Sequence, residues 1–385
     1  MKFSSQAKVT LIALAILVLT GFSCWVFQLM NGLGVTGMSN VTSWGLYIAM
    51  FMFFVGLSAG GLIVASSAHV FHIEAFKKVA IPAVITSIVC ICCAGLFILI
   101  DLGGLYRVWR LFTGPNPTSP LLWDVCVITT YLTINILDLI WLVRGDERKV
   151  NALSYVALPV AILVHSVTAW IFGLQIAKAW YTAIMAPIFV ASACDSGLAL
   201  LIIGLLLLQK ARLFVFEQDL MGKLSRLLAT FIAVDGFFIG CECLTMGYPG
   251  AGESLALSEM AFGSMAPFFW FEIIGGLIIP FIILASPVRR QSKGAVALAS
   301  GLVVCGVFCK RIWLLLTSFI TPNVSGGPGI TLGTTSAQND PTTMWSVLGV
   351  YAPTGIEIAV VVGVISLGAI AFMVLSQNFV GKKEE

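Results

Sequence analysis

Ionisable side chains stand inside long apolar stretches of this sequence, where an isolated charge is costly and usually functional. They are His165, Asp195, Asp235, Glu242, Glu272, Lys310, Arg311 and Glu357, with Asp101 and Asp138 nearer the ends of such stretches. Acids paired with Lys310 or Arg311 would hold a helix bundle together. Because the five acids within these stretches outnumber the two bases, the set also predicts proton transfer or a polar ligand.

The small number of histidines and the spacing of the cysteines exclude several kinds of redox centre. The chain has three histidines, and only His165 lies in the middle of an apolar stretch. A membrane b-type haem needs two axial histidines on facing helices, so we predict no haem. The ten cysteines lack the CxxC spacing of zinc and iron–sulfur sites. We therefore expect no cluster, no metal site and, without a GxxxxGK[ST] loop, no ATP-driven transport.

The elements that carry these residues are membrane-spanning helices. Hydrophobic residues make up 59% of the sequence and charged residues 10%, whereas soluble domains carry about 25% charged residues. Apolar segments of bilayer length recur along the whole sequence, without the alternation of a β-barrel. The sequence predicts an all-α integral membrane protein of about ten spans, at 10–30, 43–71, 79–100, 122–143, 153–175, 182–208, 225–246, 265–286, 294–319 and 350–376.

Basic residues predict the orientation, because Lys and Arg concentrate on the cytoplasmic side. With the N-terminus inside, 16 of the 21 basic residues fall on the inner side, so both termini are predicted to be cytoplasmic. The net charge of +3 then reflects sidedness, and we expect no nucleic-acid partner. The long outer segments 101–122, 247–264 and 320–349 are nearly uncharged, and we expect a partner protein to dock there.

Four motifs resemble one family. They are WGLYIAMFMFFVGLSAGG (44–61), HSVTAWIFGLQIAKAWYTAIMAPIFVASACDSGLALL (165–201), FWFEIIGGLIIP (269–280) and YAPTGIE (351–357). Their order and their places on the spans resemble the NrfD/PsrC family of polysulfide reductase membrane subunits. The ten-span branch includes the hydrogenase anchor HybB and the membrane subunits of alternative complex III.

This resemblance implies a quinone-reactive subunit of a respiratory oxidoreductase in the bacterial inner membrane. Such subunits bind menaquinone or ubiquinone as substrate near the outer face and carry no redox cofactor of their own. They exchange electrons with a docked iron–sulfur subunit that holds several 4Fe-4S clusters. That subunit is in turn linked to a molybdopterin enzyme, a hydrogenase or a cytochrome c.

The same resemblance assigns candidate residues. His165 and Asp195 match the span-five histidine and span-six acid that line the quinone pocket, and an imidazole is suited to the accompanying proton transfer. Trp44 and Tyr47 are further candidates, although an interfacial aromatic belt explains them nearly as well. Glu272 could complete the pocket. Glu242, Asp235, Lys310, Arg311 and Glu357 are weaker candidates for a proton route or an ion network, and Asp138 for its inner end.

A weak internal repeat predicts the arrangement of the spans. FFVGLSAGG (53–61) and IFVASACDSG (188–197) enter the membrane in the same direction. We expect one polytopic domain, 1–385, made of two four-helix bundles, 43–178 and 179–320. The first span and its loop (1–42) and the last loop and span (321–385) flank them. A proton-coupled secondary transporter and a purely structural anchor remain as alternatives.

Overall fold

The computed structural model describes residues 4–39, 42–70, 73–177, 179–321 and 351–380, and these ranges hold helices and no strand. Within these ranges, ten helices are long and apolar enough to span a membrane. They are α1 (Ser5–Asn31), α2 (Leu46–Val70), α3 (Ala80–Asp101), α4 (Pro120–Arg144), α5 (Glu147–Gly173), α6 (Met185–Lys210), α7 (Gln218–Gly247), α8 (Ala266–Ala285), α9 (Lys293–Ile320) and α10 (Gly355–Phe379). The prediction of an all-α membrane protein of ten spans is confirmed.

Two helices begin well before their predicted starts. α5 starts at Glu147 and α7 at Gln218, whereas the apolar runs begin near 153 and 225. The extra turns are polar, and Asp146 accepts a hydrogen bond from the Lys149 backbone N–H at the start of α5. Hydropathy marks the length that lipid covers, whereas at α5 the Asp146 cap helps decide where the helix begins.

Shorter helices lie in the connections. They are Leu33–Val35, Glu74–Lys77, Leu105–Arg107, Arg110–Thr113, Glu253–Phe262 and Arg289–Gln291. Within α8, residues Phe271–Ile278 form a π-helix, a wider coil that often marks functional positions. Glu272 lies in this widened stretch.

The helices pack in two closed rings. α2 and α4 each contact both α3 and α5, and α6 and α8 each contact both α7 and α9. α2 also packs against α6 and α9, while α1 packs against α10 and α10 against α3. Because α2 contacts helices of both rings so closely, the division into two bundle units and its boundaries stay predictions.

Glycine pairs allow the closest helix crossings. A Cβ on Gly60 of α2 would clash with the backbone of Gly197 and Leu198 in α6. Gly276 of α8 and Gly306 of α9 meet in the same way. Small residues let helix backbones touch in membranes, where tight packing replaces much of the hydrophobic driving force. The first crossing joins the two repeat segments at their glycine-rich ends.

Two faces of the bundle differ in character. The connections at 73–79, 145–146, 211–217 and 286–292 form one face, called here the basic face. The segments 32–39, 102–119, 248–265 and 351–354 form the opposite, loop-rich face. With ten spans, α1 begins and α10 ends on the basic face. Nearly all of the predicted docking segment 320–349 lies outside the described residues, as do Lys382 and Lys383.

Candidate functional site

Lys310 is the centre of a buried ion cluster between α7, α8 and α9. Its Nζ lies 2.9 and 2.7 Å from the two carboxylate oxygens of Asp235 and 3.1 Å from Glu272 Oε1. Trp313 Nε1 donates a hydrogen bond of 2.6 Å to Glu272 Oε2. All four side chains are buried. The structure thus brings together Asp235, Glu272 and Lys310, three of the residues that the sequence singled out.

Arg311, the next residue, lies on a different side of α9. Its Nη2 donates a hydrogen bond of 2.7 Å to Ser192 Oγ, and its guanidinium lies 4.1 Å from the centre of the Phe189 ring. A Cβ on Gly56 would be 3.5 Å from Nη2, so α2 also borders the group. Nε and Nη1 are buried with no hydrogen-bond partner among the described residues. Arg311 therefore has N–H donors to offer.

His165 points into the same region from α5. It is 2% exposed, and its ring nitrogens make no hydrogen bond of good geometry with a described residue, although one approaches the Gly56 backbone. The imidazole adjoins the Gly56 backbone and lies within electrostatic range of Arg311. A buried histidine is normally satisfied by a carbonyl, a carboxylate or water. The buried imidazole therefore keeps hydrogen-bonding capacity that the described residues do not fully use.

Asp195 of α6 is the acid without a partner. It is fully buried, and both carboxylate oxygens lack a hydrogen-bond partner among the described residues. Asp235, Lys310 and Glu272 all act on it electrostatically. Asp195 thus lies near the ion cluster without forming a salt bridge with it among the described residues.

Aromatic rings extend from Arg311 towards the loop-rich face; we call them the aromatic cluster (Trp44, Phe172, Trp180, Phe189 and Phe319). Phe189 stacks on Phe172 with centroids 6.2 Å apart, and Trp44 stacks on Trp180 at 6.0 Å. Phe172 meets both tryptophans edge to face, at 5.6 and 5.3 Å. Trp180 Nε1 donates to the Leu314 carbonyl at 2.8 Å. Trp44 therefore belongs to the cluster that borders His165 and Arg311.

Tyr47 has a different surrounding from Trp44. Its hydroxyl donates a hydrogen bond of 2.7 Å to Gln28 Oε1 of α1, and Gln28 Nε2 donates to the Ile100 carbonyl of α3 at 3.3 Å. The ring is fully buried. The structure places Tyr47 on the α1 side of α2 and satisfies its hydroxyl with protein. Its predicted contact with a quinone stays a prediction.

Glu357 joins the start of α10 to the loop that follows α1. One carboxylate oxygen accepts from the Tyr351 hydroxyl at 2.6 Å, and the other accepts from the backbone N–H groups of Gly37 and Thr354 at 2.8 Å each. Tyr351 also accepts from the Leu46 N–H at 2.7 Å. Burial, and then the bond to Glu357, raise the pKa of Tyr351. These contacts fit a structural latch better than a proton route.

Glu242 is separate from the ion cluster. It accepts a hydrogen bond of 3.0 Å from Thr182 Oγ1. Both Glu242 and Trp313 line a small cavity between α6, α7 and α9 near the loop-rich face. Trp313 thus lines the cavity that Glu242 borders and also donates its indole N–H to Glu272. A larger apolar cavity of about 170 Å³ lies elsewhere, between α1, α3 and α10.

Two parts of the site were missed from the sequence. Asp124 of α4 is 1% exposed and accepts a hydrogen bond of 2.7 Å from Thr168 Oγ1, one helical turn from His165. Asp124 falls at the edge of an apolar run, where a carboxylate is ordinary. Tyr131 of α4 is fully buried and bonded to Ser58 and Ser87. Tyr131 was missed because a neutral polar residue hardly changes the hydropathy of an apolar span. Asp138 is also buried in α4, away from the ion cluster.

Among the described residues, no group of three or more His, Cys, Asp or Glu side chains is arranged to hold a metal ion. All ten cysteines are free, and they lie within the described helices.

Comparison with known proteins adds a family. The model described as "Polysulphide reductase, NrfD" matches residues 34–323. A putative membrane subunit of dimethyl sulfoxide reductase from Halobacterium salinarum is 34% identical over 96% of this sequence and 91% of its own length. The Hdr-like menaquinol oxidoreductase integral membrane subunit of Archaeoglobus fulgidus is 29% identical over 96% and 92%. A polysulfide reductase polypeptide of Wolinella succinogenes is 26% identical over 72% and 94%. The chain therefore belongs to the NrfD family of polysulphide reductase membrane proteins.

Proposed function

We propose that this protein is the quinone-reactive membrane subunit of a respiratory oxidoreductase, with the quinone headgroup between His165 and Arg311. The observation that carries the proposal is a set of buried polar atoms whose hydrogen-bonding capacity the described residues leave unused. The ring nitrogens of His165 have only an approach to the Gly56 backbone, and a neutral imidazole offers one donor and one acceptor. Arg311 adds the N–H donors of Nε and Nη1, which are buried and unpartnered within the described residues. A buried polar atom without a partner costs about 1–3 kcal/mol. A quinone carbonyl would accept from these donors and remove that cost.

The aromatic cluster fits the rest of such a substrate. A quinone is a flat ring with an apolar tail, and flat aromatic walls suit it. Trp44, Phe172 and Phe189 lie between the loop-rich face and Arg311. Trp180 is held by its bond to the Leu314 carbonyl, and Trp44 is the partly exposed ring of this group.

Proton transfer follows from the charges next to the headgroup. Quinone reduction adds two electrons and two protons, one proton to each carbonyl oxygen. His165 would exchange a proton with one oxygen, and the positive Arg311 would stabilise negative charge that develops on the ring. Asp195, unpaired among the described residues and electrostatically linked to Asp235 and Lys310, would pass protons between the headgroup and the ion cluster.

Relatives support the same role. One is named as a menaquinol oxidoreductase subunit and another as part of a polysulfide reductase. By analogy, an iron–sulfur subunit would dock on the loop-rich face and a catalytic subunit beyond it. The basic face would be cytoplasmic, with both termini on that side, as in a bacterial inner membrane.

The test is quinone-linked turnover of the purified complex with His165→Ala and His165→Gln. We expect both variants to assemble and to lose at least tenfold in turnover with quinone. Transfer from an artificial dye directly to the partner subunits should persist, which separates the quinone step from the remaining redox steps. Asp195→Asn should lose turnover as well, while Asp219→Asn, an exposed acid at the basic end of α7, is the matched control. Normal turnover in both His165 variants would contradict the proposal.

The two alternatives make different predictions. A proton-coupled transporter predicts substrate uptake by the protein reconstituted alone. If the protein is a purely structural anchor, the complex should still assemble around it. Quinone turnover should then be unchanged by substitutions at both His165 and Arg311.

A further inference from the structure

A second set of buried polar residues occupies the ring formed by α2, α3, α4 and α5. On α4, Tyr131, Asn135 and Asp138 are four and three residues apart, so they share one side of the helix. On α2, Ser58 and His69 are eleven residues apart, about three turns, and also share one side. All five are buried. We call these five residues the polar column.

Contacts place this column in the interior of the ring. The Tyr131 hydroxyl donates to the Ser58 carbonyl at 3.0 Å and lies 2.8 Å from Ser87 Oγ of α3. α2 and α4 each pack against α3 and α5, so Tyr131 reaches across the ring between them. Asn135 Nδ2 donates to the Tyr131 carbonyl at 2.8 Å. Asp138 and then His69 follow towards the basic face.

Three atoms along the column lack partners. Asn135 Oδ1, Asp138 Oδ1 and His69 Nε2 are buried without a hydrogen-bond partner among the described residues. They lie at successive depths, since α2 and α4 run in the same direction from Ser58 and Tyr131 to the basic face. Ordered water is the usual partner of such atoms inside proteins. Three such atoms at successive depths indicate a chain of water molecules, whereas one isolated atom would indicate only a local gap in hydrogen bonding.

The column has suitable ends. On α5, His165 lies one turn from Thr168, whose hydroxyl donates to Asp124 Oδ1 of α4. Asp124 is seven residues, about two turns, from Tyr131 on the same side of α4, so His165 lies at a depth between Asp124 and Tyr131. At the other end His69 Nδ1 lies 2.7 Å from Asn151 Oδ1. The charged groups that act on His69 are Lys77, Glu147 and Glu74, which belong to the basic face. Glu74 is 76% exposed in its side chain, so it can exchange protons with water.

We propose that the polar column is a hydrated proton path between the basic face and the quinone site at His165. This rests on the proposed function. For each quinone reduced, two electrons come from the docked iron–sulfur subunit, and two O–H bonds form at the carbonyl oxygens. Protons for these bonds pass from the water of the basic face by way of His69, Asp138 and Tyr131 to His165. In quinol oxidation both protons and electrons travel the opposite way.

The experiment uses the intact complex in proteoliposomes, with a pH-sensitive dye on each side of the membrane. Asp138→Asn keeps the size of the side chain but cannot carry a proton. We expect its turnover to fall at least tenfold, its KM for quinone to stay within twofold, and its solvent deuterium isotope effect to rise. Asp138→Glu should restore most of the rate. Tyr131→Phe should slow turnover, and Asp219→Asn should behave like the unsubstituted complex.

Several outcomes would overturn the path. One is unchanged turnover and isotope effect in Asp138→Asn; another is proton exchange only on the loop-rich side. If Asp138→Asn does not assemble, cryo-electron microscopy of the unsubstituted complex decides the question. Water density between Asn135, Asp138 and His69 supports the path, and a dry interior excludes it. Failure of the unsubstituted complex to turn over quinone would instead contradict the proposed function itself.

Discussion

Lys310 Nζ lies 2.9 and 2.7 Å from the two carboxylate oxygens of Asp235, deep in the interior, with both side chains fully buried. Glu272 adds a second carboxylate at 3.1 Å from the same Nζ. The single positive charge of Lys310 therefore forms salt bridges with two acids on two other helices. Arg311, the adjacent base, makes no ion pair within the described residues and remains available to a ligand.

Replacement of Lys310 should destabilise the bundle. Lys310→Met leaves Asp235 and Glu272 buried without their cation, and we expect a loss of about 3–5 kcal/mol in the free energy of unfolding. The triple variant Lys310→Met, Asp235→Asn, Glu272→Gln should recover most of it, because no charge is then left unpaired. Thermal unfolding in detergent measures both. Equal stability of Lys310→Met and the unsubstituted protein would show that the cluster contributes nothing to the fold.

The crossing of α2 and α6 should be intolerant of a methyl group. Gly60→Ala places a Cβ against backbone atoms of Gly197 and Leu198 that cannot move aside. We expect a loss of about 1–3 kcal/mol. Gly301→Ala is the matched control, because a Cβ there meets no atom within 4 Å. It should be neutral or stabilising by at most about 1 kcal/mol. Similar stability of the two variants would argue against this crossing.

Substitution of Glu357 should show whether this residue has a structural role or takes part in a proton route. Glu357→Gln replaces one acceptor oxygen by an amide donor, which opposes the donors of Tyr351, Gly37 and Thr354. We expect a loss of about 1–3 kcal/mol in stability, with the quinone turnover of assembled complex unchanged. Turnover that falls while thermal stability stays constant would return Glu357 to the proton route.

Arg311→Lys tests the geometry of the headgroup site at constant charge. Lysine lacks the planar surface that lies 4.1 Å from the Phe189 centroid and the several N–H donors of a guanidinium. We expect the KM for quinone to rise about tenfold, equivalent to about 1.4 kcal/mol. Titration of turnover against quinone concentration measures it. A KM unchanged in Arg311→Lys would place the headgroup away from this residue.

The local pattern of apolar residues was sufficient to predict the membrane spans. Each span is a run of apolar residues of bilayer length, so its existence follows from nearest neighbours in sequence. The helix starts of α5 and α7 did not follow, because polar turns beyond the lipid still form helix when Asp146 or another residue supports them. The π-helix at 271–278, which packs against α9, was also not predicted, because the sequence shows no pattern that distinguishes it from an α-helix.

The sequence alone determined which residues are costly in a membrane: His165, Asp195, Asp235, Glu272, Lys310 and Arg311 all stand in apolar runs. Only the tertiary structure decided which of them are paired. Asp235 and Glu272 reach Lys310, whereas Asp195 and His165 form no salt bridge in the described structure and Glu357 is held by a loop. The physical reason is that charge and hydropathy belong to single residues. Pairing depends on the rotation and depth of several helices, which packing contacts far apart in sequence fix together.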